Sequence, residues 1–185
     1  MKRIFSCSAP LICLLLLFLS CAKNDNTSSV DGDGNPANSN GFISAKFNGK
    51  LKQFKFRADG AFEDNNKLLG MNGFMEDNSL SPTLEIHIKK TEGKITTGTY
   101  HLYDSPDIAI SATYTISRKE DGALLSNTFY ETRDIGNKKD LIINIKSLAN
   151  GRAKGTFNGV ITTDNEVKGD QVITLTEGTF DVALN

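Results

Sequence analysis

From Gly41 onward the chain alternates apolar and polar residues with a period of two, and turn signals built on glycine interrupt it about every dozen residues. A chain patterned this way can bury one face of each segment only as a β-sheet. The first pair of segments makes the case. Ile43-Ser44-Ala45-Lys46-Phe47 leads into Asn48-Gly49, and Lys50 to Phe56 follows. Asn-Gly accepts the positive φ that a two-residue hairpin turn demands at both positions. Such a turn pairs Phe47 with Lys50 and Ile43 with Phe54, which puts the apolar residues of both strands on one face.

The same test extends along the chain. Leu84, Ile86 and Ile88 alternate with Glu85, His87 and Lys89, and Tyr100 and Leu102 follow Thr91-Glu92-Gly93. A three-residue loop with Gly93 left-handed pairs Leu84 with Tyr100 and keeps one face apolar. Around Ala149-Asn150-Gly151, Ile143 and Ile145 meet Phe157 and Gly155. At Glu177-Gly178, a two-residue turn pairs Leu175 with Phe180 and Ile173 with Val182. Tyr114 to Ser117 and Leu124 to Tyr130 form a further hairpin through Glu120-Asp121-Gly122. Leu68 to Phe74 is another strand, weakened by Gly70 and Gly73. No segment sustains a helical period. The expectation is one all-β domain over residues 41–185, a single antiparallel β-sandwich or barrel-like fold of about ten strands. Gly98-Thr99-Tyr100, Gly155-Thr156-Phe157 and Gly178-Thr179-Phe180 repeat one small pattern, read as a strand device: glycine at a bulge or turn, Thr outward, the aromatic in the core.

Residues 1–40 have a different character. Lys2 and Arg3 precede an apolar run from Leu11 to Leu19 that is too short to span a bilayer, which takes about 20 residues. Phe18-Leu19-Ser20-Cys21 resembles the bacterial lipobox, with Phe18 where that motif usually carries Leu. The resemblance implies a signal peptide over residues 1–20, cleavage between Ser20 and Cys21, and lipid attached to Cys21. Two or three acyl chains, each worth about 0.8 kcal/mol per buried methylene, anchor a protein stably. All three cysteines (Cys7, Cys13 and Cys21) lie in this region, so the body uses no disulfide. Residues 21–40 read as the lipidated cysteine and a disordered tether, rich in Asn, Asp, Ser and Gly with Val30 its only large apolar residue. Asp31-Gly32-Asp33-Gly34-Asn35 is not an EF-hand loop, because Pro36 and Phe42 stand where Gly and Glu are required. Lys23 and Asp25 partly resemble a surface-export signal of Bacteroidota lipoproteins, so surface and periplasm both stay open.

Removing residues 1–20 takes away Lys2 and Arg3 and no acidic residue, leaving 19 basic against 22 acidic residues, a net of −3. That balance argues against nucleic acid as a partner. The Phe47-Asn48-Gly49-Lys50 hairpin, Gly98-Thr99-Tyr100, Lys154 to Gly159 and Glu177 to Val182 together resemble Bacteroidota lipoproteins with a β-rich domain of unknown function. The resemblance implies an envelope address, in the outer membrane facing the periplasm or the cell surface. It implies no active residue.

Chemistry is sparse. The body has no cysteine beyond Cys21, and its two histidines, His87 and His101, alternate outward on strands. No His-Glu-x-x-His or Cys-x-x-Cys spacing supports a metal, and no Gly-rich phosphate loop implies a cofactor. Glu63-Asp64, Glu76-Asp77, Glu120-Asp121 and Asp164-Asn165-Glu166 offer carboxylates, but nothing singles out a pair. The sequence therefore points away from an enzyme and toward a membrane-anchored binding module for a protein or glycan. A structural subunit of an envelope complex is the alternative, and a hydrolase using loop carboxylates ranks last. Tyr103, Asp104 and Asp107, in the most polar aromatic loop, form the candidate contact surface.

Overall fold

The computed structural model describes residues 41–185 other than 79, 103–104, 122, 133–140 and 164–170. The described residues are all-β, with eleven strands and no helix. One six-stranded antiparallel layer has the order β2 (Lys50–Phe54), β1 (Phe42–Phe47), β11 (Val172–Leu184), β10 (Arg152–Thr162), β9 (Leu141–Ala149) and β6 (Gly98–His101). The second layer runs β3 (Phe56–Glu63), β4 (Leu68–Phe74), β5 (Thr83–Lys90), β7 (Ile108–Glu120) and β8 (Ala123–Glu131). Two corners join the layers into one sheet. Ala183 and Leu184 of β11 run parallel to Asp59 and Gly60 of β3, and Thr162 of β10 bridges Glu131 of β8. The fold is thus a sandwich closed like a barrel, and the β3–β11 contact is the one parallel pairing among the described residues.

The inward faces carry the core. Ile43, Ala45, Leu175, Phe180, Val182, Phe157, Ile143 and Ile145 of the first layer face Leu69, Met71, Leu84, Ile86, Ile88, Ala112 and Tyr114 of the second, all buried. Each large side chain taken fully from water contributes roughly 1.5–3 kcal/mol. One end is filled by rings: Tyr114 lies 4.9 Å from Phe47, 6.1 Å from Phe54 and 5.9 Å from Tyr130, measured between centroids. Lys52, on the edge strand β2, points inward over this cluster, and its Nζ donates to Tyr114 Oη at 2.6 Å. An inward-facing charge deters a second strand from docking on that edge.

Several registers follow the sequence expectation. Ile43 faces Phe54 and Phe47 faces Lys50, with Asn48 and Gly49 at φ 48° and 82°. The expected hairpin of Tyr114 to Ser117 with Leu124 to Tyr130 also forms, and the structure supplies its register, with Tyr114 opposite Tyr130. Ile143 faces Phe157 and Ile145 faces Gly155, although the turn is only Asn150-Gly151. The register is recovered by a bulge in β9, where Ser147 pairs with Lys154 and Ile145 with Gly155, leaving Lys146 unpaired.

Two expected hairpins do not form. Leu84 pairs with Tyr114 and Gly73, not with Tyr100, which pairs instead with Ile143. The chain leaves β5 and crosses to the other layer, with Ile95 buried on the way and Gly93 left-handed at φ 70°. Nor does Glu177-Gly178 turn the chain back. Strand β11 runs straight through it, with Glu177 at φ 51° in a bulge. Leu175 and Phe180 face Phe47 and Ile43 of β1 on one side, and Gly159 and Gly155 of β10 on the other. Leu175, Phe180 and Val182 are buried as expected, and Ile173 packs partly buried beside them.

Two of the three repeated triplets pair with each other, while Gly98-Thr99-Tyr100 pairs with Ile145-Asn144-Ile143 of β9. Strands β10 and β11 run antiparallel, so Gly155 faces Phe180, Thr156 faces Thr179 and Phe157 faces Gly178. A Cβ on Gly155 would sit 2.8 Å from Phe180 Cε1, and one on Gly178 would sit 2.7 Å from Phe157 Cγ. Each glycine makes room for the other triplet's ring. Tyr100, Phe157 and Phe180 are all buried.

Candidate functional site

Ser20 and Cys21, Tyr103 and Asp104, and the Asp164-Asn165-Glu166 group all lie outside the described residues. Asp107 is described and is engaged locally. Its carboxylate accepts from Thr91 Oγ1 at 3.0 Å, and its carbonyl accepts from Thr91 N at 2.9 Å. It ties the end of β5 to the start of β7. The candidate carboxylate pairs disperse: Asp77 meets Arg57 at 3.5 Å, and Glu76 accepts from Asn78 Nδ2 at 3.0 Å. His87 and His101 stand on different layers.

The structure instead gathers Glu63 and His87 with residues that the sequence analysis did not single out as a site. On the outer face of β3, β4 and β5 lies a shallow trough of about 310 Å³. Its floor is a cross-strand row in which Gly70 is flanked by Ala61 and His87. The next row supplies Asp59, Asn72 and Glu85, in register across the three strands. Glu63 closes one end. Asn185 lies beside Asp59, its N donating to Gly60 O at 3.0 Å and its Nδ2 3.5 Å from Asp59 Oδ2.

Gly70 decides the depth of this trough. Its φ lies outside the left-handed region, so its backbone does not require glycine. A Cβ there would touch only the His87 ring, at the ordinary contact distance of 3.5 Å. The strand tolerates a side chain that it does not have, and glycine in a strand costs about 0.5–1 kcal/mol relative to Ala. Gly60 is different, because a Cβ there would press on Gly70 O at 2.9 Å.

The wall of the trough is polarised. His87 Nε2 lies 3.8 Å from Glu85 Oε2, and its imidazole holds the Glu85 carboxyl below the usual Glu range against the opposing effect of partial burial. Glu85 thus stays a carboxylate to lower pH than an ordinary Glu. Asp59 and Glu63 line the same trough as Glu85 and His87, so it carries three carboxylates and one imidazole. Ser111 faces His87 across β7, but no hydrogen bond joins hydroxyl to ring, so the pair is not set up as nucleophile and base. Among the described residues, no three His, Cys, Asp or Glu side chains gather in a way that could hold a metal ion.

Nothing in the sequence marks this trough. His87 and Glu85 read as one outward strand face and Gly70 as a weak point in another, and only the β4–β5 register puts them side by side.

The comparisons with known proteins return no match. No family model, no curated protein and no solved structure is similar to the chain. Among the described residues, no helix is long and apolar enough to cross a membrane.

Proposed function

We propose that the protein is a lipid-anchored lipoprotein of the bacterial envelope, held through Cys21, and that its β-sandwich is a non-catalytic module binding a protein ligand through a basic side chain. The lipobox-like Phe18 to Cys21 and the resemblance to Bacteroidota lipoproteins support the address. One observation carries the binding site: Gly70, required by neither backbone nor packing, leaves a hollow walled by Asp59, Glu63 and Glu85. Three carboxylates around an open trough favour an ammonium or guanidinium group. Among the described residues, no Phe, Tyr or Trp lines the trough to offer the usual stacking platform for a sugar.

The test is binding of Lys- and Arg-containing peptides to the detergent-solubilised protein, beside a glycan array. Basic peptides should bind, more weakly as salt rises, and Gly70→Leu and Glu85→Gln should weaken them. Gly70→Ala should raise stability by about 0.5–1 kcal/mol while weakening binding. Binding that is confined to glycans, or that is indifferent to Gly70→Leu, refutes the assignment.

A further inference from the structure

Asn-Gly recurs at 40–41, 48–49, 72–73, 150–151 and 158–159, and Asn40 lies outside the described residues. The dipeptide is chemically labile. With no side chain on the following residue, the glycine amide nitrogen can approach the carbonyl carbon of the asparagine side chain. The described copies differ in how they are held. Asn72 and Asn158 sit inside β4 and β10, where Gly73 is paired with Leu84, and Gly159 with Leu141 and Leu175. Asn48 and Asn150 instead occupy two-residue hairpin turns, in which both the asparagine and the glycine are exposed.

These two turns form a matched pair. Their backbones agree, with φ 48° and 82° at Asn48-Gly49 against 54° and 65° at Asn150-Gly151. Their side chains do not. Asn48 Oδ1 accepts from Thr174 N at 2.8 Å, and Asn48 Nδ2 lies 3.5 Å from Val172 O. Asn48 N also donates to Thr174 O at 2.9 Å, so the residue extends the β1–β11 ladder by one step. Among the described residues, no hydrogen bond holds the side-chain amide of Asn150.

We propose that Asn150 is a site of spontaneous deamidation and backbone isomerisation, and that hydrogen bonds to β11 protect Asn48 from the same reaction. Gly151 N attacks Cγ of Asn150, and the new N–C bond closes a succinimide ring. The side-chain nitrogen leaves as ammonia, taking the Gly151 amide proton. Water then opens the ring at one of its two carbonyls. Cleavage at the side-chain carbonyl gives aspartate, and cleavage at the backbone carbonyl gives isoaspartate. Isoaspartate routes the main chain through Cβ and so lengthens a turn built for two residues. The effect reaches the closure of the barrel. Gly151 O accepts from Leu184 N at 2.7 Å, and Leu184 is where β11 runs beside β3.

The test ages the folded full chain, in detergent, at mildly alkaline pH in heavy-oxygen water, with its peptides followed by mass spectrometry. The Asn150 peptide should exchange its NH2 for a heavy OH about fivefold to tenfold faster than the Asn48 peptide, because Asn48 must first break a hydrogen bond. In guanidinium, where neither turn exists, the two rates should converge. Asn150→Gln, whose longer side chain does not readily close that ring, should leave its peptide unconverted. Hydrogen exchange at the Leu184 amide should quicken in the aged parent but not in aged Asn150→Gln. Equal conversion at both turns of the folded chain, or faster conversion at Asn48, overturns the proposal. So does an Asn150 that converts only in guanidinium. Leu184 exchange that stays unchanged once isoaspartate has formed overturns the link to the closure of the barrel.

Discussion

Phe180 offers the sharpest test of how the two layers are held together. Its ring is 2% exposed and rests on Gly155 of the neighbouring strand. Truncating a buried Phe to Ala forfeits its transfer energy and leaves a cavity, for a cost of about 3–5 kcal/mol. A domain of this kind has only about 5–15 kcal/mol in hand, and this one has no disulfide in its body to compensate. Gly155→Ala attacks the same contact from the other side. Its Cβ would crowd both the Phe180 ring and the Asn144 carbonyl oxygen, a cost of about 1–3 kcal/mol or more. In the double variant the ring is gone but the Asn144 carbonyl remains, so the second substitution should be relieved only in part. The expected coupling is about 1 kcal/mol, within the range for residues in contact. Thr179→Ala is the control. It loses the 2.9 Å hydroxyl contact with Ser44 on the outer face, worth about 1 kcal/mol. Urea unfolding of the four variants and the parent decides the matter. Additivity of Phe180→Ala and Gly155→Ala to within about 0.5 kcal/mol would refute the reciprocal packing. A Thr179→Ala variant less stable than Phe180→Ala would invert the assigned faces.

Cys21→Ser should release the protein from membranes, and continued membrane fractionation at unchanged mass would refute lipid attachment there. Limited proteolysis should trim residues 22–40 first and stop near Phe42, whereas early cuts across residues 60–180 would count against one domain. Asp181 is pushed up by partial burial, but Lys154 at 2.9 Å and Arg152 at 2.6 Å outweigh that and hold its carboxyl below the usual Asp range. Its contribution should therefore be full above the ordinary Asp pKa and vanish as pH falls through the lower folded value. The stability gap between the parent and Asp181→Asn, measured by denaturation from neutral to strongly acid pH, should close in that direction. Lys52→Met should keep the ring packing but lose the bond to Tyr114, costing about 1 kcal/mol and raising aggregation through the β2 edge. Unchanged light scattering would show that Lys52 does not guard that edge.

The sequence by itself determined what is local. Strand content, the faces of the core and the Asn48-Gly49 turn follow from alternation and from residues that accept positive φ, which act within a few positions. Even the β9–β10 register could be read, because its apolar pairs had to share a face, although the bulge at Lys146 could not. Partners were another matter. The apolar positions shift from odd at Leu175 to even at Phe180, and two structures produce that shift equally well. A two-residue turn reverses the chain, whereas a one-residue bulge lets it run on, and both return the side chains to the same face. Only β1 and β10, hydrogen-bonded along both sides of β11, decide for the bulge. Leu84 and Tyr100 pose the same ambiguity, since an apolar face is satisfied by any apolar face opposite it. The trough shows the limit most plainly. Gly70 is an ordinary weak point until β3 and β5 flank it with Asp59, Glu85 and His87, residues brought together by strand pairing alone. Periodicity fixes which way a side chain points, but contacts between strands distant in sequence depend on how the whole core closes, and that is a property of the tertiary structure.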